Sequence, residues 1–320
     1  MTHSIKTSVY SLLLLAQLYL CFFFSAGFYK NQQWLILLLP VAIFSAAKLM
    51  STLTQLIDAK VVNSRYIKPL VPALFALVVL IFWQSMTKGF DVSKILLPAP
   101  SEIFVAFISN IPTLWADFKQ TYMKAVLAGY FIGCVSGFVV ASWAIKSRFL
   151  QNSLLPLGNF VSAIPIVGIA PIMVMWFGFD WQSKAAVVVV MTFFPMFINT
   201  LAGLKSVDPL HNDLMHTYAA KSTQRFVKNQ FPQALPFIFN ALKLNSTMAL
   251  IGAIVAEFFG TPIVGMGFRI STEVGRMNME MVWATILVAA LAGSISYGAL
   301  ALLERAVLFW HPSVRSAQAK

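Results

Sequence analysis

Residues 184–204 read KAAVVVVMTFFPMFINTLAGL, and after Lys184 twenty consecutive positions carry no charge. A helix needs about 20 mainly apolar residues to cross the hydrocarbon core of a bilayer, so this stretch is long enough to span one. Seven further segments have the same character, roughly residues 9–28, 34–50, 69–87, 121–145, 154–179, 237–260 and 281–303. The second is short and Pro40 interrupts it. The first is longer than the apolar core of a cleaved leader and is followed by no small-residue cleavage site, so it is expected to remain a span. The prediction is an all-α polytopic membrane protein of about eight spans. Composition agrees: 59% of the 320 residues are hydrophobic and 11% charged, against about 25% charged in soluble domains.

The net charge of +12 would suit a nucleic-acid binder if the basic residues shared one soluble face. They are instead dispersed between the apolar segments. With the N-terminus placed in the cytoplasm, 15 Lys and Arg fall on the cytoplasmic side and 8 on the other. Lys and Arg enrichment on cytoplasmic loops sets topology, so both termini are expected inside and nucleic acid is not an expected partner. The lipid bilayer is. Cys21 and Cys134 lie inside apolar runs without a CxxC partner, which argues against a disulfide framework or a zinc site. His211 and His216 do not form a metal-ligand cluster with the other histidines, and no metal is expected.

Catalytic chemistry is also missing. No paired carboxylates, His-rich helix or Ser/His/Asp grouping presents itself. No Gly-x-x-x-x-Gly-Lys-Ser/Thr sequence occurs, so nothing here cradles ATP in the usual way. The chain is expected to be neither an enzyme nor a cofactor binder, and any ATP used must be bound by another subunit.

The connection between the sixth and seventh segments, residues 205–236, is longer than a minimal turn. Leu210, Leu214, Tyr218 and Phe226 are interspersed with polar residues, and Pro209 and Pro232 bracket the stretch. Proline favours helix starts and boundaries, so short helices on the cytoplasmic face satisfy the pattern. A solvated connector satisfies it too. In the fifth segment, Pro165, Gly168 and Pro171 interrupt backbone hydrogen bonding at membrane depth. Such backbone is tolerated only inside protein or against a watery cavity, so the segment is either a pathway wall or a kinked buried helix. Asn159, Ser162, Thr192, Asn199, Asn245, Ser246 and Thr247 offer neutral hydrogen bonds to a solute or to neighbouring helices. Glu257 is an acid inside an expected span, near its outer end, and is a candidate for gating or solute contact. Arg269 and Arg276 are expected to meet a docking protein's acids or to pair with Glu273 and Glu280. Gly129, Gly133 and Gly137, and likewise Ala290, Ser294 and Gly298, repeat at four-residue spacing and read as close-packing faces.

The run Asp213-Leu-Met-His-Thr-Tyr-Ala-Ala, with Gln230-Phe-Pro-Gln-Ala-Leu-Pro236, resembles the cytoplasmic signature loop of bacterial ABC importer permeases. Aligned on Pro232, Asp213 takes the place of that signature's Glu, Ala219 of its Gly and Phe231 of its Leu, and Lys228 replaces a frequent basic residue. Because Ala disfavours positive φ, the turn at Ala219 is expected to be more helical than a glycine turn. The resemblance extends over residues 66–315. Leu155-Pro156, Ala163-Ile-Pro165, Ala170-Pro171, Trp176-Phe-Gly178, Leu235–Lys243, Ala256–Gly260 and Leu97–Glu102 are similar to the permeases for nitrate, sulfonates and taurine, and for pyrimidine precursors of thiamine and riboflavin. The stretch Glu257 to Arg276 is closer to the second branch.

That resemblance implies a division into an added two-span region at 1–65, a transmembrane domain at 66–310 with a coupling loop at 205–236, and a tail at 311–320. It also implies a cytoplasmic ATP-binding subunit, a periplasmic or lipid-anchored solute-binding protein and a homodimer. The coupling residues would be Asp213, His216, Tyr218, Ala219, Lys221, Arg225, Phe226, Lys228 and Pro232, with Tyr218 and Phe226 as anchors. Pro165, Gly168, Pro171, Asn199, Asn245 and Glu257 are the pathway candidates. The competing function is an ion-coupled secondary transporter without an ATPase, which needs ionisable groups at mid-membrane.

Overall fold

A computed structural model describes residues 40, 43–45, 47–51, 70–260 and 263–311. The first expected span lies outside the described residues, and of the second only residues 40, 43–45 and 47–50 are described, all helical. Among the described residues, five helices are long and apolar enough to cross a membrane, or six if one sharply bent pair counts as a single span. The expected all-α architecture is therefore seen, with five or six spans among these residues.

In chain order the helices are α1 (Leu70–Gly89), α2 (Pro100–Ser109), α3 (Ile111–Ala144), α4 (Arg148–Ser162), α5 (Ile166–Phe177), α6 (Trp181–Lys205), α7 (Pro209–Thr217), α8 (Ser222–Glu257), α9 (Met266–Gly275) and α10 (Met279–Val307). Two long helices begin well before the apolar run that announced them. α3 starts ten residues ahead of residue 121 and α8 fifteen ahead of residue 237. The extra first turns of α3 are amphipathic. The expected fifth span is not one helix: α4 and α5 meet at a 100° bend. Pro165 caps the start of α5 with extended backbone, as its missing N–H and fixed φ allow.

The chain forms two compact units, Met1–Asn110 with Glu273–Ala284, and Ile111–Thr272 with Thr285–Lys320. In the first, α2 starts with Pro100 in its first turn. The Glu102 carboxylate reaches back to accept the Ala99 N–H at 3.0 Å. Lys88 donates to the same carboxylate, and Lys94 pairs with both Glu102 and Glu280 at 3.2 Å. Burial pushes the Glu102 carboxyl up, but the bonds from Lys88 and Ala99 outweigh it and hold it below its usual value. Its contribution to stability is thus present above the ordinary carboxylate pKa and is lost as pH falls through the lowered one. Gln84 exchanges two hydrogen bonds with Ser101 (2.9 and 3.1 Å), and Trp83 meets Trp283 edge to face at 4.9 Å.

In the second unit α6 is the hub, packing along α3 and α8. The approach of α3 is very close. A methyl group on Gly129 would stand 2.6 Å from the Ala185 carbonyl, one on Gly133 2.0 Å from the Thr192 hydroxyl, and one on Gly137 2.6 Å from the Phe193 carbonyl. These three glycines are a helix-packing face, as their spacing predicted. The second small face differs, because a methyl on Gly298 would meet nothing within 4 Å. Core residues Val126, Val188, Ala249 and Ala253 fill one end of the bundle, and Cys134, Met196, Leu204 and Ala234 the other. Both long helices contain a wide turn, at Lys119–Val126 in α3 and Phe226–Gln230 in α8. In α8 the wide turn precedes Pro232, which has no N–H to give to the carbonyl one turn back.

Candidate functional site

α7 begins with Asp208 accepting the Leu210 N–H at 2.9 Å and Pro209 as its first residue, an arrangement that satisfies an orphan donor and presets φ. It ends in a tight reversal. Ala220 N–H donates to the Met215 carbonyl and Ala219 N–H to the His216 carbonyl, both at 2.9 Å, and Ala219 has φ +51°. This is the paired bonding of a left-handed helix stop, normally built on glycine. The more helical turn expected at Ala219 is therefore not what forms: the reversal keeps its left-handed residue. Alanine there costs about 1 kcal/mol. Replacing Ala219 by Gly is expected to tighten the reversal and slow hydrogen exchange of the Ala220 amide about fivefold. Faster exchange would contradict the strain argument.

From the turn the chain enters α8 through Lys221, whose N–H donates to the Gln224 side chain at 2.8 Å. One side of α7 is tied to the base of α8: Asn229 reaches Asn212 at 3.5 Å and Gln233 reaches the His211 ring at 3.2 Å. The other side shows Leu210, Leu214 and Tyr218, which are 74%, 52% and 78% exposed. At four-residue spacing they form one stripe. Asp213, His216, Lys221 and Lys228 are exposed around it, while Arg225 and Pro232 are half-buried. Phe226 is half-buried as well and stacks on Phe231 at 6.2 Å, within the core cluster around Met196 and Ala234. Of the two aromatic anchors expected from sequence, Tyr218 is the exposed one and Phe226 points inward. Leu210 and Leu214 were absent from the expected site, although their spacing to Tyr218 was the available signal.

The pathway candidates do not converge. Asn199 donates to the Pro195 carbonyl of its own helix at 2.8 Å. Asn245 is fully buried and ties α8 to α6 through the Thr192 carbonyl at 2.8 Å, with the Cys134 sulfur of α3 at 3.3 Å. Pro165 and Gly168 are exposed on α5 and Pro171 is half-buried.

Glu257 closes a clasp at the far end of α8. One oxygen accepts the Thr121 hydroxyl at 2.7 Å and the other the Gly267 N–H at 2.6 Å. Thr121 in turn accepts the Met266 N–H at 2.7 Å. Asp117 accepts the Gly265 N–H at 2.9 Å and the Arg269 Nε–H at 2.8 Å. Two carboxylates and a hydroxyl thereby satisfy the first amides of α9, where donors are otherwise orphaned and negative charge is favoured. Gly265, at φ +150°, lets Glu257 approach, since a methyl there would stand 2.8 Å from the carboxyl carbon. The expected pairing of Arg276 with Glu273 forms at 3.2 Å. Arg269 instead pairs with Asp117, which no linear spacing linked to it. Among the described residues no cluster of three metal-ligating side chains occurs.

Known proteins place this architecture. The formylaminopyrimidine transport permease protein ThiX of Halalkalibacterium halodurans is 29% identical over 77% of this chain and 98% of its own length. A putative aliphatic sulfonates transport permease protein, SsuC of Bacillus subtilis, is 29% identical over 75% of this chain and 87% of its own. The riboflavin transport system permease protein RibX of Chloroflexus aurantiacus is 27% identical over 74% and 88%. In fold, the chain is similar to a solved amino acid ABC transporter crystallised with histidines, with a TM-score of 0.53, 16% identity and coverage of 63% of this chain and 97% of that one. The family profile described as binding-protein-dependent transport system inner membrane component matches residues 129–309. More than half of the chain lies within that match, from the glycine face of α3 through the α7 hairpin to the end of α10, and the chain belongs to this family of multi-pass inner-membrane ABC transporter permeases, which are not themselves ATPases and which work with a separate ATPase and a solute-binding protein.

Proposed function

We propose that this chain is the membrane-spanning subunit of an importer, that two copies form the translocation pathway, and that α7 docks into a groove of the cytoplasmic ATPase. The observation that supports the reading is the exposed Leu210, Leu214 and Tyr218 stripe, held on a hairpin whose other side is fastened to α8. An amphipathic helix laid into a groove gains affinity from an apolar stripe and register from its rim charges. Here Asp213, His216, Lys221 and Lys228 surround the stripe.

The drive has a direct mechanical route. α8 is continuous over 36 residues, with its wide turn at Phe226–Gln230 near the base, about 54 Å at 1.5 Å per residue. Its base carries the α7 hairpin and its far end carries Glu257, which grips the start of α9. Displacement of the hairpin by a closing ATPase dimer therefore has a route to the opposite side of the membrane along one continuous helix. Both termini lie in the cytoplasm in this reading, following the bias of Lys and Arg. The solute is a small organic anion or heterocycle of the sulfonate, taurine, pyrimidine and riboflavin group, in keeping with the relatives' substrates.

The test is reconstitution of the chain with its ATPase and solute-binding protein, the latter offered ethanesulfonate, taurine, formylaminopyrimidine and riboflavin. Uptake is expected to require ATP hydrolysis and to stop with a catalytically dead ATPase. Uptake by this chain alone, driven by an ion gradient, would establish secondary transport and contradict the proposal.

A further inference from the structure

Between α3, the start of α6 and the segment before α9 lies a cavity of about 670 Å³, within the range of small-molecule sites. Lys119, Gln120 and Lys124 line one wall, Phe179 and Asp180 another, and Ala116 the end. The wide turn Lys119–Val126 is what shapes it. In an ordinary α-helix residues five apart stand about 140° apart around the axis. The Leu127 N–H bonds the Tyr122 carbonyl, five residues back, and this widened turn swings Lys119 and Lys124 toward a common face.

Around the cavity four cations, Lys119, Lys124, Lys184 and Arg269, stand against three acids, Asp117, Asp180 and Glu257, so positive charge is in excess by one. Asp117 is bonded to Arg269, and Glu257 to Thr121 and the Gly267 amide. Asp180 accepts Gln120 Nε2 at 2.7 Å and its own helix's Trp181 N–H at 2.8 Å. Lys184, 1% exposed, donates to the Phe179 carbonyl at 2.6 Å and the Asp180 carbonyl at 3.2 Å. Gln120 is buried and also accepts Lys124 Nζ at 2.9 Å, which orients that ammonium. The Lys119 ammonium lies 5.9 Å from the Trp115 ring centre. Two exposed ammonium groups thus face the cavity beside the exposed ring of Phe179.

We propose that this cavity is the admission site for a soluble small organic anion, Lys119 and Lys124 holding its charged group and Phe179 its apolar body. The proposal rests on the importer reading and narrows its solute class from anion or neutral heterocycle to anion. The shared chemistry of a phospholipid headgroup makes lipid the alternative occupant, and the experiment separates the two.

Ala116→Cys is introduced into the full chain carrying Cys21→Ser and Cys134→Ala, in phosphatidylcholine nanodiscs that expose both faces. Its labelling rate with anionic sulfonatoethyl methanethiosulfonate is compared with that of the cationic trimethylammonioethyl reagent, each normalised to a free thiol in solution. The anionic reagent is expected to be favoured roughly tenfold. Lys119→Gln with Lys124→Gln should erase the preference, and the two Arg replacements should retain it. Benzenesulfonate should slow labelling at least threefold while neutral benzenesulfonamide of the same size does not. No charge preference, or equal protection by both compounds, would overturn the proposal. Suppression of labelling by phosphatidylglycerol nanodiscs, with no effect of benzenesulfonate in phosphatidylcholine, would overturn it in favour of a lipid seat. The same preparations are assayed for ATPase copurification. Loss of the charge preference with the ATPase still bound removes the site alone, whereas failure of the ATPase to bind removes the importer reading and leaves the labelling result to stand independently.

Discussion

Replacement of Asp117 by Ala is expected to lower the stability of the second unit by about 3 kcal/mol. Asp117 is fully buried and bonded to the Gly265 amide and the Arg269 guanidinium. Removing one partner of a buried pair leaves the other desolvated, at a cost of about 3–5 kcal/mol. The lower end applies because the Arg269 side chain keeps 16% exposure. The Gly265 amide, just ahead of α9, also loses its acceptor, which adds in the same direction. Asp117→Asn keeps an acceptor for that amide but not the charge, so its loss should be clearly smaller. The check is the temperature at which the detergent-solubilised chain loses its monodisperse chromatographic peak, ranked wild type above Asn above Ala. An Ala variant as stable as wild type would show that the clasp is not what fixes α9.

The parts of this fold that were readable from sequence are those governed by periodicity and length. A twenty-residue uncharged run is a span whatever surrounds it, and α6 appears within a few residues of its expected bounds. The glycine face of α3 was also readable from its four-residue spacing, although the same spacing at Ala290, Ser294 and Gly298 marks no such face, since a methyl on Gly298 would meet nothing within 4 Å. The starts of α3 and α8 were not, since charged and polar residues, Asp117, Lys119 and Gln120 in α3 and Arg225, Lys228 and Asn229 in α8, separate them from the apolar runs. The reversal at Ala219 was misjudged because propensity disfavours the left-handed region there, while the two paired backbone bonds and the neighbouring helices override it. Phe226 and Tyr218 looked alike in a linear pattern. Phe226 opens the wide turn of α8 and stacks on Phe231, whereas Tyr218 stays exposed at the end of α7, whose His211 and Asn212 side is the one tied to α8. Partners separated by more than a hundred residues, such as Asp117 with Arg269 and Thr121 with Glu257, leave no trace in local spacing.

The clasp and the hairpin sit at the two ends of α8, so damage to one should not mimic damage to the other. An Asp117 variant is expected to bind the ATPase normally while the protein is intact. A hairpin variant is expected to fold normally and to lose its partner. Leu214 and Tyr218 are exposed, so charged replacements there cost the isolated chain little. Buried against a partner's groove the same charges are unpaired and desolvated, and truncating or charging such anchors costs about 2–4 kcal/mol each at an interface. Two together weaken binding by roughly a thousandfold or more.

The most direct measurement is therefore copurification of the ATPase with the Leu214→Glu, Tyr218→Glu double variant, in membranes where the variant's abundance and thermal stability match wild type. The ATPase is expected to be absent from the variant preparation and stoichiometric with wild type. Full copurification with the double variant would contradict the assignment of α7 as the element through which ATP hydrolysis drives this permease.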